Sequence, residues 1–257
     1  AMPNLKDIRK RISSVKSTQQ ITKAMKMVAA AKLRKATEAA LEARAYSGAI
    51  DELFSSMIAS MDDVESHPLI AEREDVRHAA VVLLGSDRGL CGSFNSGLFR
   101  RVERFIWEER DRFKNLEQVS LFTFGKKPRD YFSHRGYAIE RAEIGIEPVR
   151  FFESAQSLGR DLMRRYRDEE LDRVYVAYNV FQSALTQIPT VTQLFPLGKK
   201  LQEQTEPAAE HATELAEHTY EPDQTLVLDR LLPKYLDTVI FQAFLETQAG
   251  EQAKRMT

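Results

Sequence analysis

Apolar positions near the N-terminus recur at steps of three and four. Leu5, Ile8, Ile12 and Val15 form one seam, which slips across Ser17-Thr18-Gln19-Gln20 and resumes at Ile21, Met25 and Val28. Three-four stepping marks a helix that lies along another helix, and the slip changes the local supercoil. From about Leu5 to about Ser60 there is no Pro and one Gly, Gly48. The pattern predicts a single helix, roughly 80 Å long at ~1.5 Å per residue. A rod of that length outruns any domain this chain could build and must run beside another helix, another subunit or a membrane. Its seam is too weakly apolar for lipid, so the expected neighbour is protein. Ala29 to Ala45 is small on all sides, which lets a partner helix approach closely. Asp62, Asp63 and His67-Pro68 end the helix.

The period then changes. Ala79 to Leu84 is a continuous apolar run, as in a strand covered on both faces. Gly85 to Gly92 reads as a loop, and Asn95 to Phe113 as a helix with Leu98, Val102, Phe105, Ile106 and Phe113 on one side. Val119 to Phe124 is a second strand, Pro128 to His134 a short helix, Tyr137 to Ile144 a third strand and Val149 to Tyr166 a helix. Val174 to Val180 and Ile188 to Leu197 are the fourth and fifth strands. Alternating strands and helices predict a mostly parallel, Rossmann-like sheet. The short turn near Ser183 makes the last pair antiparallel. Glu203 to His218 is polar with no apolar stripe. From Pro222, which suits a first helical turn, a second long helix follows. Leu228, Leu232, Tyr235 and Val239 form its seam, widened by Leu236, Ile240 and Phe244, and Pro233 should bend it.

The expected organisation is therefore an α/β chain: a helix over 1–62, a globular insertion over 76–200, a polar connector over 201–221 and a second helix over 222–257. The two terminal helices are predicted to pair as an antiparallel coiled coil with the Rossmann-like domain at one end.

Composition changes this picture little. The 257 residues carry 43% hydrophobic and 29% charged side chains, with a net charge of −1. The distribution of charge is more telling. Lys6, Arg9, Lys10, Arg11, Lys16, Lys23, Lys26, Lys32, Arg34 and Lys35 face a single acid, Asp7, before residue 37, and this points to an acidic partner surface. Stacking aromatics are absent before Tyr46, which disfavours nucleic acid. Cys91 is the only cysteine, so no internal disulfide or thiolate cluster can form. No run approaches the ~20 apolar residues of a membrane span, and no signal-peptide pattern opens the chain. An intracellular protein, or the mature form of an organellar one, is expected.

Ser86 to Gly92 follows the first strand, where nucleotide sites sit in α/β folds. The glycines run Gly85-x-x-x-Gly89-x-x-Gly92, which is neither G-x-G-x-x-G nor a P-loop, and Phe124-Gly125-Lys126 stands where an acid should end the second strand. A tight turn feeding a helix fits better than a phosphate cradle. His67, His78, His134, His211 and His218 give Cys91 no evident base. No motif indicates a metal or cofactor.

Ile21 to Lys32, Ser86 to Gly92, Gln187 to Thr190, Tyr220 to Asp223 and Glu251 to Met256 occur in this order around the α/β insertion. This set resembles the γ subunit family of rotary F-type ATP synthases along essentially the whole chain. The resemblance implies a non-catalytic rotor shaft inside a ring of α and β subunits. Its globular part would rest on the c ring beside the ε subunit, peripheral to the cytoplasmic face of a bacterial membrane or its organellar equivalent. Proton flow would turn the shaft and drive the β subunits through their states. Carried over by motif, Lys23, Met25 and Lys26 should meet the acidic tip of a β subunit, with Gln252 and Arg255 at about the same height. Asp87, Arg88, Gly89 and Cys91, with Tyr220 and Glu221, should lie nearer the foot. The family pattern continues beyond Arg255-Met256, so the second helix is expected to be truncated. The plastid-type insertion with its regulatory cysteine pair is absent. The alternative reading is an α/β nucleotide-dependent enzyme with a helical oligomerisation arm.

Overall fold

The computed structural model describes residues 4–59, 67–197 and 224–257. The first helix, α1, spans Leu5–Ala59, 55 residues without a break. The body follows as β1 (His78–Leu84), α2 (Phe94–Arg112), β2 (Gln118–Phe124), α3 (Lys126–Ser133), β3 (Ala138–Glu143), α4 (Phe151–Arg167), β4 (Arg173–Phe181) and β5 (Gln187–Phe195). A 3₁₀ turn at Pro148–Arg150 leads into α4. The last helix, α5, spans Gln224–Met256 and continues through Pro233.

The five strands form one sheet in the order β3-β2-β1-β4-β5. β1 pairs in parallel with both β2 and β4, and β2 with β3. β4 and β5 pair antiparallel across a tight turn in which Gln182 and Ser183 both donate to the Thr186 carbonyl. The apolar run in β1 is explained by burial on both faces. Val81 and Leu83 pack with Leu98, Phe99, Val102 and Ile106 of α2. Ala80, Val82 and Leu84 point the other way, into a core with Leu158 and Leu162 of α4 and Leu236, Ile240 and Phe244 of α5. Each such side chain contributes about 1.5–3 kcal/mol on burial. β3 closes the sheet with an edge bearing Glu140, Arg141 and Glu143, charges that discourage further strand pairing.

The lower half of α1 belongs to this second core. Phe54 stacks on Tyr235 with centroids 4.8 Å apart, and Met57 is buried in the same cluster. Further along, the Gln242 amide donates to the Ala40 carbonyl at 3.3 Å. Leu33 and Ala36 then pack with Ala249 and Ala253. As residue numbers fall along α1 those along α5 rise, so the two helices run in opposite directions. Ala29, Ala36 and Ala40 are buried at this face beside Leu33, and small side chains let the backbones approach. α4 and α5 also pack tightly: a Cβ on Gly159 would stand 2.9 Å from an Asp237 carboxylate oxygen.

A basic collar and its supporting loop

Beyond Ala29 the rod leaves the body. Every residue from Asn4 to Ala24 is exposed, including the seam positions Leu5, Ile8, Ile12 and Val15. At ~1.5 Å per residue, the segment from Leu5 to Ala29 projects about 35 Å. Lys23 and Lys26 lie on this exposed stretch, and Met25 between them is half-buried. Lys32 and Lys35 are exposed where the rod meets the body. Arg34 pairs with Glu38 one turn on at 3.1 Å, with both side chains largely in solvent, where such pairs contribute little.

The C-terminal residues expected at about the same height are less exposed than these lysines. Gln252 is buried. Arg255 is not an exposed charge: its side chain is 15% accessible and it pairs with Glu251 at 2.6 Å. One Nη2 hydrogen also reaches the Arg88 carbonyl at 3.3 Å. Periodicity alone could not reveal this, because the partner comes from a loop 167 residues away. Burial raises the Glu251 carboxyl above its ordinary value, opposed by the Arg255 charge and reinforced by Asp87.

This contact also changes the reading of the Ser86–Gly92 loop. The sequence set Asp87, Arg88, Gly89 and Cys91 nearer the foot than Arg255, whereas Arg88 touches Arg255. The loop is held from within. Asn95 donates from its amide to the Ser86 hydroxyl at 2.7 Å and to the Cys91 sulfur at 3.3 Å, and its own oxygen accepts from the Ser86 N–H at 3.1 Å. Asp87 accepts from the Lys126 N–H at 2.9 Å and from the Gly145 N–H at 3.0 Å. Its carboxylate thus sits at the start of α3 and ties β1, α3 and the β3–α4 connection together. The place a phosphate would take at that helix start is filled by the protein's own anion.

Gly125 lets the strand ends come this close. It has φ +109°, and a Cβ there would stand 2.7 Å from the Gly85 carbonyl oxygen. Leu90, at the loop tip, has φ 60° and is exposed. Cys91 is a free, buried thiol, and burial pushes its pKa up. A raised thiol pKa lowers the thiolate fraction, opposite to what a nucleophile needs. Tyr220 and Glu221 lie outside the described residues. Among the described residues no three His, Cys, Asp or Glu side chains converge as a metal site requires, and no helix is long and apolar enough to cross a membrane.

The sequence reading missed a buried polar junction at mid-rod. Glu246 of α5 accepts from Arg44 of α1 at 2.8 Å, from Gln242 at 2.7 Å and from the Phe181 N–H at the end of β4 at 3.0 Å. The signal was an acid inside the apolar stripe of the second helix.

A long bare helix, clamped at one end to a doubly covered α/β sheet and ringed by lysines where it emerges, defines a shaft or stalk architecture. Comparison with known proteins agrees. The family profile described as ATP synthase matches residues 4–257. The ATP synthase gamma chain of Anaeromyxobacter dehalogenans (strain 2CP-C) is 43% identical over 258 aligned positions, covering 100% of this chain and 86% of the relative. That of Heliobacterium modesticaldum is 41% identical over 256 positions, covering 100% and 85%. The chain belongs to the ATP synthase gamma chain family. In fold it resembles a chain of the Tetrahymena thermophila mitochondrial ATP synthase central stalk and c-ring structure, with TM-score 0.66, 24% identity and coverage of 92% and 96%. It also resembles a chain of the Euglena gracilis mitochondrial ATP synthase rotor, with TM-score 0.58, 16% identity and coverage of 96% and 86%.

Proposed function

We propose that this chain is the central rotor shaft of an F-type ATP synthase, a non-catalytic subunit that carries rotation from a c-subunit ring to the catalytic α/β ring. The observation that carries this reading is the bare, basic rod emerging from a rigid body in a chain of this family. A shaft changes its neighbours by offering each a different face in turn, and only such differential contact can shift their binding states. In this reading α1 and α5 act as an antiparallel coiled coil, and Lys23, Met25 and Lys26 meet an acidic surface of the β subunits. Because the partly buried Arg255 reaches the Arg88 carbonyl, we place the exposed parts of the Arg88–Leu90 loop beside the collar. Tyr220 and Glu221 remain assigned to the foot, toward the ε subunit and the c ring, on resemblance alone. The complex would hold this chain peripheral to the membrane, on the cytoplasmic face of a bacterial membrane or its organellar equivalent.

Reconstitution tests the proposal. The chain should co-assemble with α and β subunits, and a bead attached to its body should rotate when ATP is supplied. Lys23→Glu with Lys26→Glu should weaken coupling most at low salt, where screening is least. Failure to co-assemble, or full rotation torque in the double variant at low salt, would count against the shaft or the collar assignment respectively.

A further inference from the structure

We propose that the cleft between the rod and the sheet is a binding site for a small amphipathic anion, an apolar aliphatic or aromatic body carrying one carboxylate. The cleft encloses about 690 Å³, within the ~300–1,000 Å³ range of small-molecule sites. It lies at the carboxyl ends of β1 and β2, where Leu84-Gly85 and Phe124-Gly125 leave the sheet. That is the edge at which α/β sheets bind ligands. The proposal does not depend on the shaft assignment.

The lining fits this class of ligand. Phe124, Phe151, Phe244 and Leu245 line the cleft. Phe151 stacks on Phe244, and Phe124 meets Phe244 edge-on, each pair with centroids 5.1 Å apart. Such an array offers ring faces and edges to an apolar body. Lys32 and Lys35 of α1 supply the charge at the mouth. Three residues apart on a helix, they share one face, both are exposed, and neither makes a salt bridge among the described residues. Of the two acids of the same rim, Glu251 is offset by Arg255, while Asp87 is held by two backbone N–H groups and keeps its charge. Lys32 and Lys35 therefore outnumber Asp87, which leaves one net positive charge at the mouth. Thr247 on the wall is 6% exposed, and its hydroxyl is buried away from the cleft.

An occupant would touch α1, α5 and the β3–α4 connection through Val149 at once. It would stiffen the joint between rod and body. Isothermal titration of the whole chain with decanoate, with decanol as the uncharged control, tests the site. Decanoate should bind saturably at one site, and decanol about tenfold more weakly. Lys32→Glu with Lys35→Glu should cost decanoate about tenfold, while Ala39→Phe, which fills the cleft wall, should abolish binding. If Ala39→Phe fails to fold, the lysine variant decides alone, because its changes fall on exposed side chains. Non-saturable uptake, or binding unchanged by the lysine variant as adsorption to the Leu5–Val15 seam would give, overturns the proposal. So does an absence of decanoate binding while Lys32 and Lys35 become protected from amine labelling only in the assembled complex, which would make the occupant a protein segment.

Discussion

Replacing Glu246 by Ala should separate the rod from the body more effectively than any surface change. Glu246 is buried and answers donors from three elements: Arg44 of α1, Gln242 of α5 and the Phe181 N–H of β4. Its removal leaves the buried Phe181 N–H without its acceptor, at about 1–3 kcal/mol. The Arg44 side chain is 46% accessible, so it can rehydrate, and losing its ion pair should cost no more than about 1 kcal/mol. With the void left by the side chain, a total of about 3–4 kcal/mol is expected. Glu246→Gln keeps a carbonyl acceptor and should cost about half as much. Adding Arg44→Ala to Glu246→Ala should cost only about 1 kcal/mol more, for the Arg44 hydrogen bond to the Phe181 carbonyl at 3.0 Å, because the pair's own interaction is already gone. Urea denaturation gives the totals, and native-state hydrogen exchange on Ala36 to Phe54 shows where protection is lost. A loss under about 1 kcal/mol for Glu246→Ala, or unchanged protection of that stretch of α1, would refute the idea that this junction clamps the rod.

Three further outcomes are expected. Cys91→Ser should retain ATP synthesis in the assembled enzyme within a few-fold and cost about 1 kcal/mol, since the Asn95 amide still finds an acceptor; complete loss of activity with normal assembly would contradict this. Burial pushes the Tyr166 phenol up to about 12 against ~10 in the unfolded chain, so the folded state holds that proton more tightly. The stability this provides is complete below pH 10 and is lost as pH rises toward 12, by about 3 kcal/mol at about 1.4 per pH unit. Tyr166→Phe should be near neutral at pH 7, because the hydroxyl has no hydrogen-bond partner among the described residues, and should flatten denaturation curves between pH 10 and 12. In the isolated, monomeric chain, Leu5 to Val15 should exchange hydrogen far faster than Val81 to Leu84, since an unsupported helix of that length is marginal in water; equal protection would mean the exposed seam has found cover.

Much of the fold could be read from pattern because local period and burial agree. The run Ala79 to Leu84 is apolar at every position, and its alternate residues do enter two different cores. The absence of Pro from Leu5 to Ser60 does correspond to one helix over Leu5–Ala59. The short link near Ser183 does make an antiparallel pair. Strand order was not legible, because nothing in the period of β4 says that it lies beside β1. The collar was only half legible. Lys23 and Lys26 are exposed as a basic helix face should be, but Gln252 is buried and Arg255 is partly withdrawn, by Glu251 one turn back and by the Arg88 carbonyl, a contact that sequence spacing cannot encode. The cleft above Phe244 was invisible for the same reason, since its floor, wall and mouth come from five separate segments.

The second core of the sheet draws on both extremes of the sequence, and this bears on how the protein is made. α2 and α3 can close one face of β1 and β2 as soon as those strands emerge. The opposite face, bearing Ala80, Val82, Leu84, Phe122 and Phe124, lacks the α5 side of its core until Leu228 to Leu245 are synthesised. At about 5–20 residues per second, the ~50 residues between Phe195 and Leu245 take roughly 3–10 s. Through that interval a growing chain carries an open apolar sheet face, while Phe54 and Met57, translated long before, wait for α5 to complete the pocket that buries them. The chain is thus most vulnerable to aggregation in the interval before α5 is made, and that is when a chaperone holding the nascent chain would matter most.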